Sequence, residues 1–217
     1  MTTLWTYLTD NWSQISAWTV TTLWLASLPV LAGLVLALPC GWLAYRHRWA
    51  RLPFVSAMGV VYTVPSVVLF LVLPGVLGTK ILDPVNVVIA LTLYSFALLV
   101  RTVADALAAV PELTLETAAA MGQTTWQRFR RVHLPLAVPV IGAGLRVAAV
   151  SNVSLVSVAS VIGTAQLGQL FIAGNNISSL TPIVLGLIFF TTIAFVFDAL
   201  IVLATRLVSP WHQAVTR

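Results

Sequence analysis

The sequence predicts an all-α polytopic membrane protein, and three observations carry that expectation. Of 217 residues, 59% are hydrophobic and 8% are charged, whereas ordinary globular domains carry about 25% charged residues. The mean hydropathy is +1.00. The apolar runs are long and continuous rather than alternating ten-residue segments, which favours helices over a barrel. At about 20 apolar residues per crossing, the chain has room for five spans in a single domain, residues 1–217.

Residues 1–19 place Leu4, Trp5, Leu8, Trp12, Ile15 and Trp18 at three- and four-residue steps among Thr, Asp, Asn, Ser and Gln. This pattern predicts a short amphipathic helix lying in the headgroup layer. Spans are expected over residues 20–45, 52–74, 85–100, 136–162 and 182–207, the third continuing as helix towards Val110. Pro29, Pro39 and Pro65 fall inside spans and predict kinks. Residues 111–135 form a soluble-looking insert. Pro111 and Glu112 open a helix, Gly122-Gln123-Thr124 breaks it, a second helix covers Trp126 to Val132, and Leu134-Pro135 stops it ahead of the fourth span. The Gly163 to Thr181 connection is polar and glycine-rich. It reads equally as a flexible link or as an outer gate or contact for an external protein.

A net charge of +5 and a pI near 10.2 would suggest nucleic acid in a soluble protein, but the basic residues sit at the ends of the spans, so no nucleic-acid partner is expected. Arg46, Arg48 and Arg51, then Arg101, Arg128, Arg130 and Arg131, then Arg206 and Arg217 all fall on one side of the five-span plan. The positive-inside rule puts the N-terminus outside and the C-terminus inside a lipid membrane of the bacterial inner or cytoplasmic type. The first residues lack a basic stretch and contain Asp10, so insertion is expected to use the internal spans. Cys40 is the single cysteine and reads as a small core residue.

No enzyme site is expected. His47, His133 and His212 are isolated at span edges and read as solvated or interfacial, Asp105, Glu112 and Glu116 converge with nothing, and no spacing fits a metal template. The only lysine, Lys80, lacks a glycine-rich lead-in, so the chain has no P-loop and cannot power transport itself. Two intramembrane charges stand out. Arg146 and Asp198 each cost about 2.5–3.5 kcal/mol at a span centre, and a mutual salt bridge is the plainer reading. The alternative has Asp198 facing a pathway and attracting cations. Tyr62 and Tyr94, in mid-span with Pro65 beside them, are candidates for the same pathway, since aromatic faces stabilise cations by about 0.5–2 kcal/mol each; the plainer reading is core packing.

The insert resembles the EAA loop of ABC importer permeases, with Glu116, Thr117, Ala118, Gly122, Val132, Leu134 and Pro135 at the matching positions. Thr117 stands where the pattern has alanine and Val132 where it has isoleucine. The resemblance implies that Glu116, Thr117, Ala118, Gly122, Arg128, Leu134 and Pro135 couple to a partner. That partner is a pair of cytosolic ATPase subunits, which bind the ATP and Mg that this chain does not. It also implies a second permease chain, identical or homologous, and an extracellular or periplasmic substrate-binding protein. Thr63-Val64-Pro65-Ser66 with Pro74-Gly75, the segment from Ile162-Gly163 to Gly168-Gln169, and Asp198 look like the permeases of osmoprotectant importers, which carry glycine betaine, choline or carnitine. Methionine permeases share the five-span plan and are the nearest alternative. An ATP-independent secondary transporter is the more distant one.

Overall fold

A computed structural model describes residues 4–80 and 83–211, and the described residues contain no strand. The helices are α1 (Leu4–Asp10), α2 (Trp12–Arg46), α3 (Arg48–Thr63), α4 (Ser66–Leu77), α5 (Pro84–Ala108), α6 (Glu112–Ala120), α7 (Thr125–Arg128), α8 (Leu134–Val158), α9 (Gln169–Asn176) and α10 (Leu180–Val208). Four helical stretches are long and apolar enough to cross a membrane, or five if α3 and α4 make one bent span.

The expected interfacial helix over residues 1–19 does not form as one element. Only α1 is separate, and from Trp12 the chain runs unbroken to Arg46, through Pro29 and Pro39. Ile15 is fully buried and Leu8 and Trp18 pack against the same core, so that half of the apolar stripe faces protein, while Leu4, Trp5 and Trp12 stay exposed.

α5 is the hub, with buried residues spread from Asn86 to Leu107 and packed against α2, α3 and α8. Asp83 caps it, its carboxylate accepting from the Val85 N–H, with Pro84 in the first turn. α2 comes close to α5 because Gly33, Ala37 and Gly41 put small residues on one stripe at four-residue steps. A Cβ at Gly33 would stand 2.6 Å from that of Ser95, and one at Gly41 2.7 Å from that of Val103. In lipid, where apolar surface gains little from leaving its surroundings, such close packing is a main source of helix association.

The expected span over residues 52–74 is broken. α3 and α4 meet at 99° across Val64-Pro65, because Pro65 holds Val64 in an extended conformation and donates no N–H. The third span continues as helix to Ala108, as expected.

At the other end of the insert, Leu134-Pro135 does not stop the second helix, as the sequence had suggested. A π turn over Phe129–His133 joins α7 to α8, with the Leu134 N–H reaching back to the Phe129 carbonyl. The wider turn opens the hydrogen-bond ladder where Pro135 has no N–H to give and its ring would meet a preceding carbonyl. Helix therefore continues from Thr125 to Ile162.

Candidate functional site: a protruding loop and an aromatic cleft

The insert is built by local rules. α6 ends in a Schellman turn: the Gly122 N–H bonds the Ala119 carbonyl at 2.9 Å and the Gln123 N–H bonds the Ala118 carbonyl at 3.2 Å. Gly122 has φ +80°, a conformation that glycine alone adopts without cost. Two residues on, Thr124 begins a capping box with Gln127 that starts α7, the Thr124 N–H donating to Gln127 Oε1 at 2.9 Å and the Gln127 N–H to Thr124 Oγ1 at 3.4 Å. The Thr-x-x-Gln spacing is itself a helix-start signal legible in the sequence.

One side of this helix–turn–helix is anchored and the other is free. Ala118 is buried, and Leu115 and Phe129 pack on the inner core with Leu107 and Val110. Glu116, Thr117, Ala119, Ala120 and Gly122 are exposed, as are the large apolar side chains of Leu113, Met121 and Trp126. Leu134 and Pro135 are half-buried where the loop re-enters the bundle. Arg128 is half-buried too, its Nη2 donating to Thr125 Oγ1 at 3.5 Å.

Two side chains behind the loop behave differently from expectation. His133 is buried, not solvated: its Nε2 donates to the Leu107 carbonyl at 2.7 Å, and its ring meets Tyr45 edge-on at 4.8 Å. Asp105 is not isolated either. It accepts from Arg51 at 2.7 Å and stands 3.7 Å from Arg101, tying α3 to α5. His212 lies outside the described residues.

Away from the loop, the Pro65 break creates a cleft. Tyr94 donates its hydroxyl to the Val64 carbonyl, holding one lip of the break. Tyr62 meets Tyr94 edge-to-face at 5.7 Å. The two rings, with Ser66, Ser151, Ser154 and Leu155, line a cleft of about 300 Å³. Behind the tyrosines lies a small void of about 10 Å³, lined in part by Ser95 and Asn152; Ser95 Oγ and Asn152 Nδ2 are buried without a hydrogen-bond partner. The sequence reading missed these two, since a polar residue within an apolar span does not reveal which way it faces. The lining of cleft and void combines the two aromatic rings with serine hydroxyls, aliphatic side chains and the Asn152 amide, and includes no charged side chain. Pro65 is exposed at the break itself.

Asp198 does not join the tyrosines. It receives two hydrogen bonds from Arg146, from Nε at 2.6 Å and Nη2 at 2.9 Å, a bidentate pair between α8 and α10 that neutralises both charges. Its groove is a different one, shared with Val150, Thr191 and Phe195. No cluster of three metal-ligating side chains occurs among the described residues.

Comparison with known proteins decides the class. Residues 30–210 match the family described as "Binding-protein-dependent transport system inner membrane component". The chain belongs to that family. This permease is 34% identical to the osmoprotectant import permease protein OsmW of Salmonella typhimurium over 90% of its own length and 92% of the relative's. It is 27% identical to the glycine betaine/carnitine/choline transport system permease protein OpuCB of Bacillus subtilis over 97% and 95% of the two chains. The permease also superimposes on a chain of the MetNI methionine ABC transporter with a TM-score of 0.81 at 20% identity, covering 92% of this chain and 98% of that one; at that identity the likeness concerns the fold. The protein is thus an ABC importer permease that resembles the osmoprotectant group.

Proposed function

We propose that this permease passes quaternary ammonium osmoprotectants such as glycine betaine, choline or carnitine across the membrane. In this reading the energy enters through the Glu116 to Gly122 face of the insert. The observation that carries the proposal is the one-sided burial of that loop: Ala118 is anchored while Glu116, Thr117 and Gly122 stand clear. A rigid helix end with small residues and a free carboxylate suits a groove on a cytosolic ATPase. Two ATPase subunits would bind ATP and Mg and grip the loops of two permease chains, identical or homologous. Their closure would drive the loops together and switch the pathway between inward and outward opening. Leu134 and Pro135 would transmit that movement directly, being in one continuous helix with α8.

The solute side of the proposal rests on the Tyr62 and Tyr94 rings with the surrounding hydroxyls. A permanent cation needs no carboxylate where aromatic faces are available, and an uncharged lining lets a desolvated solute pass without being trapped. An extracellular or periplasmic binding protein would deliver it. With the arginine-rich ends placed in the cytosol and α3–α4 counted as one broken crossing, the N-terminus lies outside and the C-terminus inside.

The test is to assemble the permease with its ATPase and binding protein in vesicles and to compare ATPase stimulation by betaine, choline and methionine. Stimulation by a quaternary ammonium solute is expected. Stimulation by methionine alone would overturn the solute class, and gradient-driven flux through the purified chain without any ATPase would overturn the coupling.

A further inference from the structure

Beneath the protruding loop, the inner end of α2 and the α6–α7 hairpin enclose a second cavity of about 220 Å³, whose lining includes Trp42, Tyr45, Arg46, Thr125, Arg128 and Phe129. Its two guanidinium groups lack counter-ions. Among the described residues the salt bridges are made by Arg51, Arg101 and Arg146, so neither Arg46 nor Arg128 meets a carboxylate. Arg128 Nε is shielded from solvent without any hydrogen-bond partner, a costly state for a charged donor. Arg46 is held in place by stacking, its guanidinium carbon 5.5 Å from the Trp42 ring centre. The tryptophan and tyrosine of the wall are residue types that favour the membrane headgroup layer. From Trp42 an apolar track leads along the same side of α2 to Val35, Leu31 and Leu28, all exposed.

We propose that this cavity holds the phosphodiester of an anionic phospholipid. Arg46 and Arg128 would donate to its non-bridging oxygens, the Thr125 hydroxyl would add a neutral donor, and an acyl chain would lie along Leu28, Leu31 and Val35. A phosphate accepts the planar fork of a guanidinium in a way that water or chloride does not, and basic pockets between spans are suited to lipid headgroups. Lipid phosphate is present in both leaflets, so the assignment does not depend on which side of the membrane the loop occupies. Nor does it depend on the solute.

The experiment needs neither ATPase nor solute. The purified full chain is equilibrated with equal amounts of phosphatidylglycerol and phosphatidylcholine in detergent, and bound lipid is counted by native mass spectrometry. Wild-type protein should retain one phosphatidylglycerol in preference to phosphatidylcholine. R46Q/R128Q should lower that retention roughly 30-fold, while R130Q/R131Q, which removes the same charge from exposed positions, should leave it unchanged. R46K/R128K keeps the charge without the fork and should fall between, and it serves as the reading if the glutamine pair fails to fold. Equal loss in R130Q/R131Q would reduce the effect to general charge attraction and overturn the site. So would equal retention of phosphatidylcholine, full retention by the lysine pair, or displacement of the lipid by millimolar inorganic phosphate, which would make a free anion the ligand.

Discussion

The two long connections of this chain, 111–133 before α8 and 163–179 after it, are both polar by composition and opposite in structure. The first protrudes. Its backbone groups are satisfied within five residues by the Schellman turn and the capping box, and it keeps a free face of Glu116, Thr117 and Gly122. The second is folded into the bundle. Gln166 is wholly buried, its amide donating to the Val156 carbonyl at 3.0 Å and accepting from the Gly168 N–H at 2.6 Å. The neighbouring Leu167 N–H donates to Thr22 Oγ1 on α2 at 3.1 Å, and Gln169 reaches the Thr164 carbonyl at 3.0 Å. The flexible link that the sequence allowed is instead packed around Gln166 to Leu170, while Asn175 to Ser178 remain exposed. Polarity in a loop therefore does not report exposure; it reports that backbone and side-chain groups need partners, which either water or the protein interior can supply.

This contrast predicts that substitutions in the packed segment act on stability and those in the protruding loop act on coupling. The largest loss is expected for Gln166→Leu, which strands the Gly168 N–H in the interior and leaves the Val156 carbonyl with the Ala159 N–H alone, and should cost about 2–4 kcal/mol, read as a lowered Tm in detergent. Gly168→Ala follows, at about 1–3 kcal/mol, because a Cβ there would stand 2.6 Å from both Gln166 Nε2 and the Ser157 carbonyl. A wild-type Tm for either protein would break the description of this segment as packed. Thr22→Val should cost about 1 kcal/mol and speed hydrogen exchange at the Leu167 amide, while amides near Gly122 exchange as in the wild type.

On the same scale Gly122→Asp should be small, about 1–2 kcal/mol for the left-handed backbone alone, since nothing lies within 4 Å of the added Cβ. Its effect should appear instead as loss of solute-stimulated ATPase activity in an assembled complex. Glu116→Ala, on a fully solvated face, should change stability by less than about 0.5 kcal/mol and still weaken ATPase stimulation. If Glu116→Ala proved fully active and cooperatively destabilised, the division between the two connections would be lost.

Much of the fold was legible because its causes are local or compositional. Apolar runs mark the spans, Gly122 marks the turn, and the arginines mark span ends. The candidate loop was legible for the same reason as far as the Gly122 turn, but α6 ends at Ala120 and the second helix runs on past Pro135. The aromatic cleft was only half legible. Tyr62 and Tyr94 do meet across the Pro65 break, but Ser95 and Asn152 were invisible, and Asp198 belongs with Arg146 rather than with the tyrosines.

By itself, then, the sequence determined that this chain is a helical membrane permease with an exposed helix–glycine–helix loop, because hydrophobic length and turn chemistry act over a few residues. Only the tertiary structure decided that Gln166 to Leu170 pack into the interior, that Trp12 continues the first long helix, and that α3 and α4 part at 99°. The physical reason is common to all three. In a membrane protein, lipid-facing and core-facing surfaces are equally apolar, so hydropathy shows that a segment is embedded without showing which face meets lipid and which meets a neighbouring helix.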